Sequence, residues 1–329
     1  MRDSAFPIFD LSRFEAAEMA EKARLGAAVD AICRSTGFLA VGGHGVPQEV
    51  IDRAWFAARD FFDLPAERKQ KARAPYPGYP YGYLGPNSEA LAQSKGEDTP
   101  PDLKESFNGG PLEVPDGLDD PEALAFCYAP TIWPEAPAGF RNAWEAYYRA
   151  MEDLAARIMR VFAVALKLDE DFFTPTIDKP ISALRALNYP HQPVPPMPGQ
   201  LRAGAHTDYG SLTILLPQAG SGGLEIFTPE KAWRPVPPIP GAFVINIGDL
   251  MALWTNDRWV STLHRVVNPE PAAGVSTRRQ SFAFFHQPNW HQEIACIPSC
   301  LAPGEQPKHA PVRSGPYLMG KFRSTVKAA

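Results

Sequence analysis

A chain of 329 residues with 45% hydrophobic and 21% charged residues has the balance of an ordinary globular protein, long enough for one large core or two modest ones. Its net charge of −5 and the lack of a basic run argue against nucleic acid or an anionic membrane as partner. No stretch has the length of a membrane span, and the N-terminus, Met1-Arg2-Asp3-Ser4-Ala5, lacks the apolar run of a signal peptide. The four cysteines, Cys33, Cys127, Cys296 and Cys300, are too scattered for a disulfide framework, so the expected compartment is a reducing cytoplasm.

The 36 prolines gather around 75–86, 111–137, 190–198 and 235–240, which reads as loops and extended connections. Between these the first half is helical in pattern. Residues 14–35 are alanine-rich with apolar residues at helical spacing, and 47–62 begins with a proline suited to a first turn. A long helix is predicted over 138–166, where Trp144, Tyr147, Met151, Leu154, Ile158, Val161, Phe162 and Ala165 recur at steps of three and four. From about residue 181 the period changes to that of strands, at 212–216, 223–227, 242–247 and 281–285. Short strands between Gly/Pro turns predict a barrel or jelly roll, with the helices packed outside it.

The β half carries His206-Thr207-Asp208 and, further on, His264. Two imidazoles and a carboxylate can take one face of a metal octahedron and leave three positions open, which suits Fe(II) better than a closed zinc site. On an extended strand, residues two apart share a face, so His206 and Asp208 can reach one ion. Arg279 and Ser281 are also two apart and together offer a guanidinium fork and a hydroxyl to a carboxylate deep in a pocket. Tyr189 is a candidate third donor, and Arg278 should point the other way. His44, His286 and His291 need no functional role, and His191 reads as a loop residue with contact to the mouth of the site as the alternative. Cys296-Ile297-Pro298-Ser299-Cys300 reads as two thiols in a loop, since no second Cys or His pair completes a metal site.

With these residues in place, the chain resembles the Fe(II)/2-oxoglutarate-dependent dioxygenases of the isopenicillin N synthase-like family over nearly its whole length. The resemblance rests on Phe6-Pro7-Ile8-Phe9-Asp10-Leu11, His44-Gly45-Val46-Pro47, Phe61-Phe62-Asp63-Leu64-Pro65, His206-Thr207-Asp208-Tyr209-Gly210-Ser211-Leu212-Thr213, Gly248-Asp249-Leu250, Trp254-Thr255-Asn256, Ser261-Thr262-Leu263-His264-Arg265-Val266 and Arg279-Gln280-Ser281. It implies an α+β fold with a mainly β core: a double-stranded β-helix (jelly roll, cupin-like) flanked by N-terminal and C-terminal helices. It also implies a mostly helical region over 1–175 that packs on an oxygenase core over 176–329.

The same resemblance implies His206, Asp208 and His264 as iron ligands, Arg279 and Ser281 as holders of the distal carboxylate of 2-oxoglutarate, and Tyr189 as their helper. The implied reaction consumes O2 and 2-oxoglutarate, releases succinate and CO2, and hydroxylates or otherwise oxidises a small molecule. Gln280, and Leu187 and Asn188 ahead of Tyr189, depart from residues common in relatives. An oxidase that needs no 2-oxo acid, an ethylene-forming enzyme and a non-catalytic binding protein are the alternatives. Phe285, Tyr81 and Phe107 are expected on the substrate side, with core packing the alternative for Phe285 and loop packing for the tyrosines at 76, 79, 81 and 83. Loops over 76–85, 104–107 and 191–202 should shape the substrate pocket, and nothing in the sequence speaks to oligomeric state.

Overall fold

The computed structural model describes residues 6–97, 99–270 and 276–325. The first half runs β1 (Ile8–Asp10), α1 (Leu11–Glu15), α2 (Met19–Ser35), β2 (Phe38–Gly42), α3 (Gln48–Phe62), α4 (Ala66–Gln70), β3 (Gly82–Leu84), β4 (Glu105–Gly109), α5 (Pro121–Phe126) and α6 (Phe140–Ala165). The second half adds β5 (Ala183–Tyr189), β6 (Ala203–His206), β7 (Leu212–Pro217), β8 (Leu224–Phe227), β9 (Trp233–Pro235) and β10 (Phe243–Ile247). It closes with α7 (Asp249–Trp254), β11 (His264–Val266), β12 (Arg279–His286) and α8 (Ser314–Thr325).

Two sheets form a double-stranded β-helix. The larger has the order β1-β2-β10-β7-β12-β5-β4-β3, and the smaller has the order β6-β11-β8-β9. Their inner faces meet in one apolar cluster: Phe38, Leu187, Val244 and Ala283 from the large sheet pack with Ala203, Leu224, Ile226 and Val266 from the small one. The region over 1–175 is not only a helical jacket. It supplies β1, β2, β3 and β4, half the strands of the large sheet, so a boundary near residue 175 cuts through one continuous hydrogen-bonded layer.

The outer face of the large sheet explains the helices. Strand β12 alternates at period two, and its even-numbered side turns Phe282 and Phe284 outward onto α6. Phe282 meets Tyr147 at 5.2 Å between ring centroids, and Phe284 meets Tyr148 at 5.2 Å. Helix α6 can present these rings because its apolar residues follow a 3.6-residue period, burying Phe140, Trp144, Tyr147, Met151, Leu154 and Ile158 on one side. Helices α2 and α3 pack on the same α6. The odd-numbered side of β12 is thereby left for the interior of the jelly roll.

Candidate functional site

His206 ends β6 and His264 begins β11, and the two are direct partners across the antiparallel pair. Asp208 lies just past the end of β6, in a loop rather than on the strand. That loop is held by backbone bonds from Asp249 N to Asp208 O at 2.8 Å and from Gly248 N to Ser211 O at 3.1 Å. Gly210 and Gly248 permit this closeness, since a Cβ on Gly248 would overlap the Gly210 backbone, and one on Gly210 would overlap the His286 carbonyl.

The three side chains converge. Asp208 Oδ1 is 3.9 Å from His206 Nε2 and 3.7 Å from His264 Nε2, and the ligand atoms of all three lie within 4.8 Å of one another. Each remaining polar atom is already committed. His206 Nδ1 bonds the Gly204 carbonyl at 2.7 Å and His264 Nδ1 bonds the Thr262 carbonyl at 3.0 Å. A carbonyl can only accept, so Nδ1 carries the proton in both rings and each Nε2 keeps a lone pair for a metal. Asp208 Oδ2 accepts from Thr213 Oγ1 at 2.6 Å and Asn246 Nδ2 at 2.7 Å, which leaves Oδ1 facing the imidazoles. Burial, then the neighbouring His264, pushes His206 down to about 3, so it is neutral at physiological pH. Burial alone would raise the Asp208 carboxyl, but His264, His206 and its two hydrogen-bond donors hold it below the usual carboxylate range. A neutral His206 imidazole and an ionised Asp208 carboxylate are forms that a divalent metal binds.

The triad opens on a cavity of about 190 Å³ inside the jelly roll. The inward residues of β5 and β12 form one wall, and they read along it as a sequence. Tyr189 and Arg279 pair at one end, Leu187 and Ser281 come next, then Arg185 and Ala283, then Ala183 and Phe285. Arg279 is 2% exposed, lies over the Tyr189 ring at 5.0 Å, and donates from Nη1 to Ser281 Oγ at 3.3 Å. Its Nε has no hydrogen-bond partner, and no carboxylate pairs with it among the described residues. A buried, unpaired guanidinium is costly, and an anion bound there would remove that cost. Arg202 is buried on the same side, and burial together with Arg279 pulls its guanidinium down to about 10. Arg278 points to the opposite face, bonding Asn188 Oδ1 and pairing with Asp63. Gln280 also faces outward, donating to the Trp55 carbonyl at 2.9 Å.

Phe285 and Tyr81 line the cavity, whereas Phe107 does not. Strand β4 turns Glu105 and Phe107 toward the helices, and Phe107 sits fully buried against Phe140 and Trp144, each at 5.0 Å, and Phe61 at 5.5 Å. The next residue, Asn108, faces the cavity instead. Phe107→Ala should therefore cost about 3–5 kcal/mol of stability in urea unfolding, the range for truncating a buried phenyl ring, with little change in substrate preference. The four tyrosines of the Pro/Gly-rich segment divide. Tyr76 is 57% exposed, Tyr79 bonds the Pro130 carbonyl, Tyr81 bonds the Cys127 carbonyl at 2.7 Å, and Tyr83 is buried beside Glu105. His191 bonds Thr277 away from the cavity, and His286 is buried on Ser211 Oγ at 2.6 Å. His44 accepts from Val46 N, and the four cysteines are unpaired.

One flank of the cavity was not foreseen from sequence. Glu89 and Arg185 line it, 3.0 Å apart, and Lys104 behind them reaches Asp102 at 2.7 Å and Glu89 at 3.4 Å. Burial alone would raise the Glu89 carboxyl, but Arg185 and Lys104 pull it down to about 2. Because that lies below the ordinary 4.5, ionised Glu89 stabilises the fold above about pH 4.5, and this contribution fades as pH falls toward 2. The amount at stake is roughly 3 kcal/mol. Glu89→Gln should flatten the acid limb of a stability-versus-pH curve across that window. An unchanged limb would show that the network carries no linkage.

A jelly roll with an open His/Asp/His set and a buried cation at the end of its pocket defines a mononuclear metal oxygenase architecture. Comparison with known proteins agrees. Residues 6–136 match the non-haem dioxygenase N-terminal model, named for morphine synthesis, and residues 181–288 match the 2OG-Fe(II) oxygenase superfamily. The 2-oxoglutarate-Fe(II) type oxidoreductase hxnY of Emericella nidulans is 34% identical over 100% of this chain and 93% of its own length. A full-length Neurospora crassa protein, solved in complex with alpha-KG (2-oxoglutarate), superposes with a TM-score of 0.85 at 30% identity, covering 98% of both chains. Its complex with alpha-KG and thymine gives 0.84 at 29% identity, again over 98% of both chains. This chain belongs to the 2-oxoglutarate/Fe(II)-dependent oxygenases. It is thus an oxidoreductase that uses Fe(II), 2-oxoglutarate and O2. Among the described residues, no helix is long and apolar enough to cross a membrane.

Proposed function

We propose that His206, Asp208 and His264 hold the iron, that Arg279 and Ser281 hold the distal carboxylate of 2-oxoglutarate beside Tyr189, and that a small molecule is oxidised in the remaining cavity. The observation that carries this reading is the pairing of an open ligand set with a buried guanidinium that has no counter-ion among the described residues, both on one cavity. Iron and 2-oxoglutarate, when bound there, supply the oxidation by O2 with release of succinate and CO2. The chain's own residues position and exclude. The Nδ1 bonds fix both tautomers, Arg279 orients a carboxylate by charge and hydrogen bonds, and Phe38, Leu215, Leu224 and Val266 keep water from the reacting centre. Thymine bound by the Neurospora protein supports a substrate of that size class. Four unpaired cysteines support a reducing compartment such as the cytoplasm.

Anaerobic addition of Fe(II) and 2-oxoglutarate should give the visible charge-transfer band of the chelated co-substrate. Air should then release succinate. Failure of the band with correctly folded protein would sink the reading, and oxygen uptake with substrate but without succinate would move the chain to a 2-oxo-acid-independent oxidase.

A further inference from the structure

The substrate end of the cavity holds polar groups that nothing among the described residues satisfies. Asn108 is 4% exposed and lines the cavity, yet neither its Nδ2 nor its Oδ1 has a hydrogen-bond partner among the described residues. Gln287, just past β12 and 2% exposed, lines the same cavity with its Oε1 unpartnered. Buried amides are nearly always paired, and an unmade pair is expensive, so two on one wall call for a complement. Asn108 is the direct cross-strand partner of Arg185, which places it beside the charged flank. Arg279 lies four residues from Ala283, the β12 partner of Arg185, or about 13 Å along the strand.

The charges decide what kind of complement fits. Arg185 is already paired with Glu89, and Lys104 with Asp102 and Glu89. Two cations and two anions cancel, so among the described residues an anionic substrate finds no free positive charge at this end, unlike at Arg279. A neutral group suffices. The side-chain amide of Asn108 offers one donor and one acceptor in a single plane, and this holds whichever way the amide is turned. Its complement is a group with an acceptor and a donor side by side, the C=O and N–H of an amide, lactam or imide. Gln287 lies four residues beyond Ala283, about 13 Å along the strand line, so a further N–H at the opposite end of the ligand is what would meet its Oε1. Tyr81, Phe285 and Ile181 supply apolar surface around that polar wall.

We propose that Asn108 and Gln287 are the specificity-determining residues for the oxidised substrate, and that this substrate is a small neutral molecule presenting a planar amide-type edge. The proposal rests on the cavity being the oxygenase site. Isothermal titration of the protein carrying Fe(II) and 2-oxoglutarate under argon, with uracil, 2-pyridone and nicotinamide against benzoate and nicotinate, tests it. The amides should bind at least about tenfold tighter than the carboxylates, the discrimination expected when a buried polar group is left unpaired. Asn108→Leu should remove that advantage while the charge-transfer band persists and the midpoint of thermal unfolding does not fall. Gln287→Leu should weaken uracil more than 2-pyridone. Carboxylates binding as well as amides, no amide binding, or unchanged amide affinity in Asn108→Leu would overturn the proposal. A missing band in wild type would instead strike the iron and co-substrate reading, because the probe affinities are measured separately from it.

Discussion

Asp208→Asn should fold as the wild type does and bind no iron at stoichiometric Fe(II), with turnover down on the order of 10³-fold or more. The exchange is nearly isosteric, so packing gives no reason for a loss. The reason is the direction of two hydrogen bonds. Thr213 Oγ1 and Asn246 Nδ2 both donate to Asp208 Oδ2. An asparagine must turn its single carbonyl oxygen to those donors, because turning its NH2 there would leave buried donors facing each other at about 1–3 kcal/mol apiece. The NH2 then stands where Oδ1 stood, a donor in place of the lone pair that a metal requires. Loss of a ligand's supporting partner alone typically weakens metal binding 10- to 100-fold, and loss of the donor atom itself exceeds that. Iron content after desalting, the 2-oxoglutarate charge-transfer band and succinate release read the effect independently. Retained iron in Asp208→Asn would mean that Asp208 is not a ligand.

That prediction also shows which part of the site a sequence can reveal. The candidates His206, Asp208, His264, Arg279 and Ser281 stand out because few residue types bind a metal or a carboxylate. A two-residue step along β12 turns Arg279 and Ser281 to one face, whereas Asp208 meets His206 from a loop, not by strand alternation. The supports are not legible. Asn246 and Thr213 are cross-strand partners on β10 and β7, and only that register brings both to Asp208. An ordinary Asn and an ordinary Thr in apolar strands carry no mark of it. The same limit explains the misplaced Phe107. A strand of five residues has only parity to divide its faces, and one step exchanges Phe107 for Asn108. Parity is set by pairing with β5, far along the chain.

The fold divides along a similar line. The long helix and four strands of the second half, β7, β8, β10 and β12, declared themselves through sustained periodicity, whereas β5, β6, β9 and β11 did not, and α3 and α6 fall within two residues of their expected limits. The strands of the first half did not. β1 and β3 have three residues each, too few to show alternation, and sheet pairing rather than local propensity makes them strands. The region thus looked helical in sequence while it extends the large sheet at both edges.

Arg279→Leu should move two measurements in opposite directions. Affinity for 2-oxoglutarate, titrated through the charge-transfer band, should fall about 100- to 1,000-fold, the roughly 3–4 kcal/mol that follows removal of one partner from a buried charge pair. Stability of the protein without co-substrate should be unchanged or higher in urea. Arg279 is buried with an unpartnered Nε, no carboxylate of the described residues pairs with it, and Arg202 adds a second buried cation nearby. Leucine removes that uncompensated charge and keeps contact with the Tyr189 ring, where the guanidinium now lies. Arg279→Lys should fall between, because an ammonium keeps the charge and loses the planar fork that grips two carboxylate oxygens. A structural arginine would behave otherwise. Its loss would lower stability and leave 2-oxoglutarate affinity nearly intact, so the signs of the two changes, taken together, separate a binding group from a packing one. If both fall, the guanidinium is paired with something other than the co-substrate. If affinity falls while stability holds, the protein carries in Arg279 a charge it tolerates only because an anion is meant to meet it.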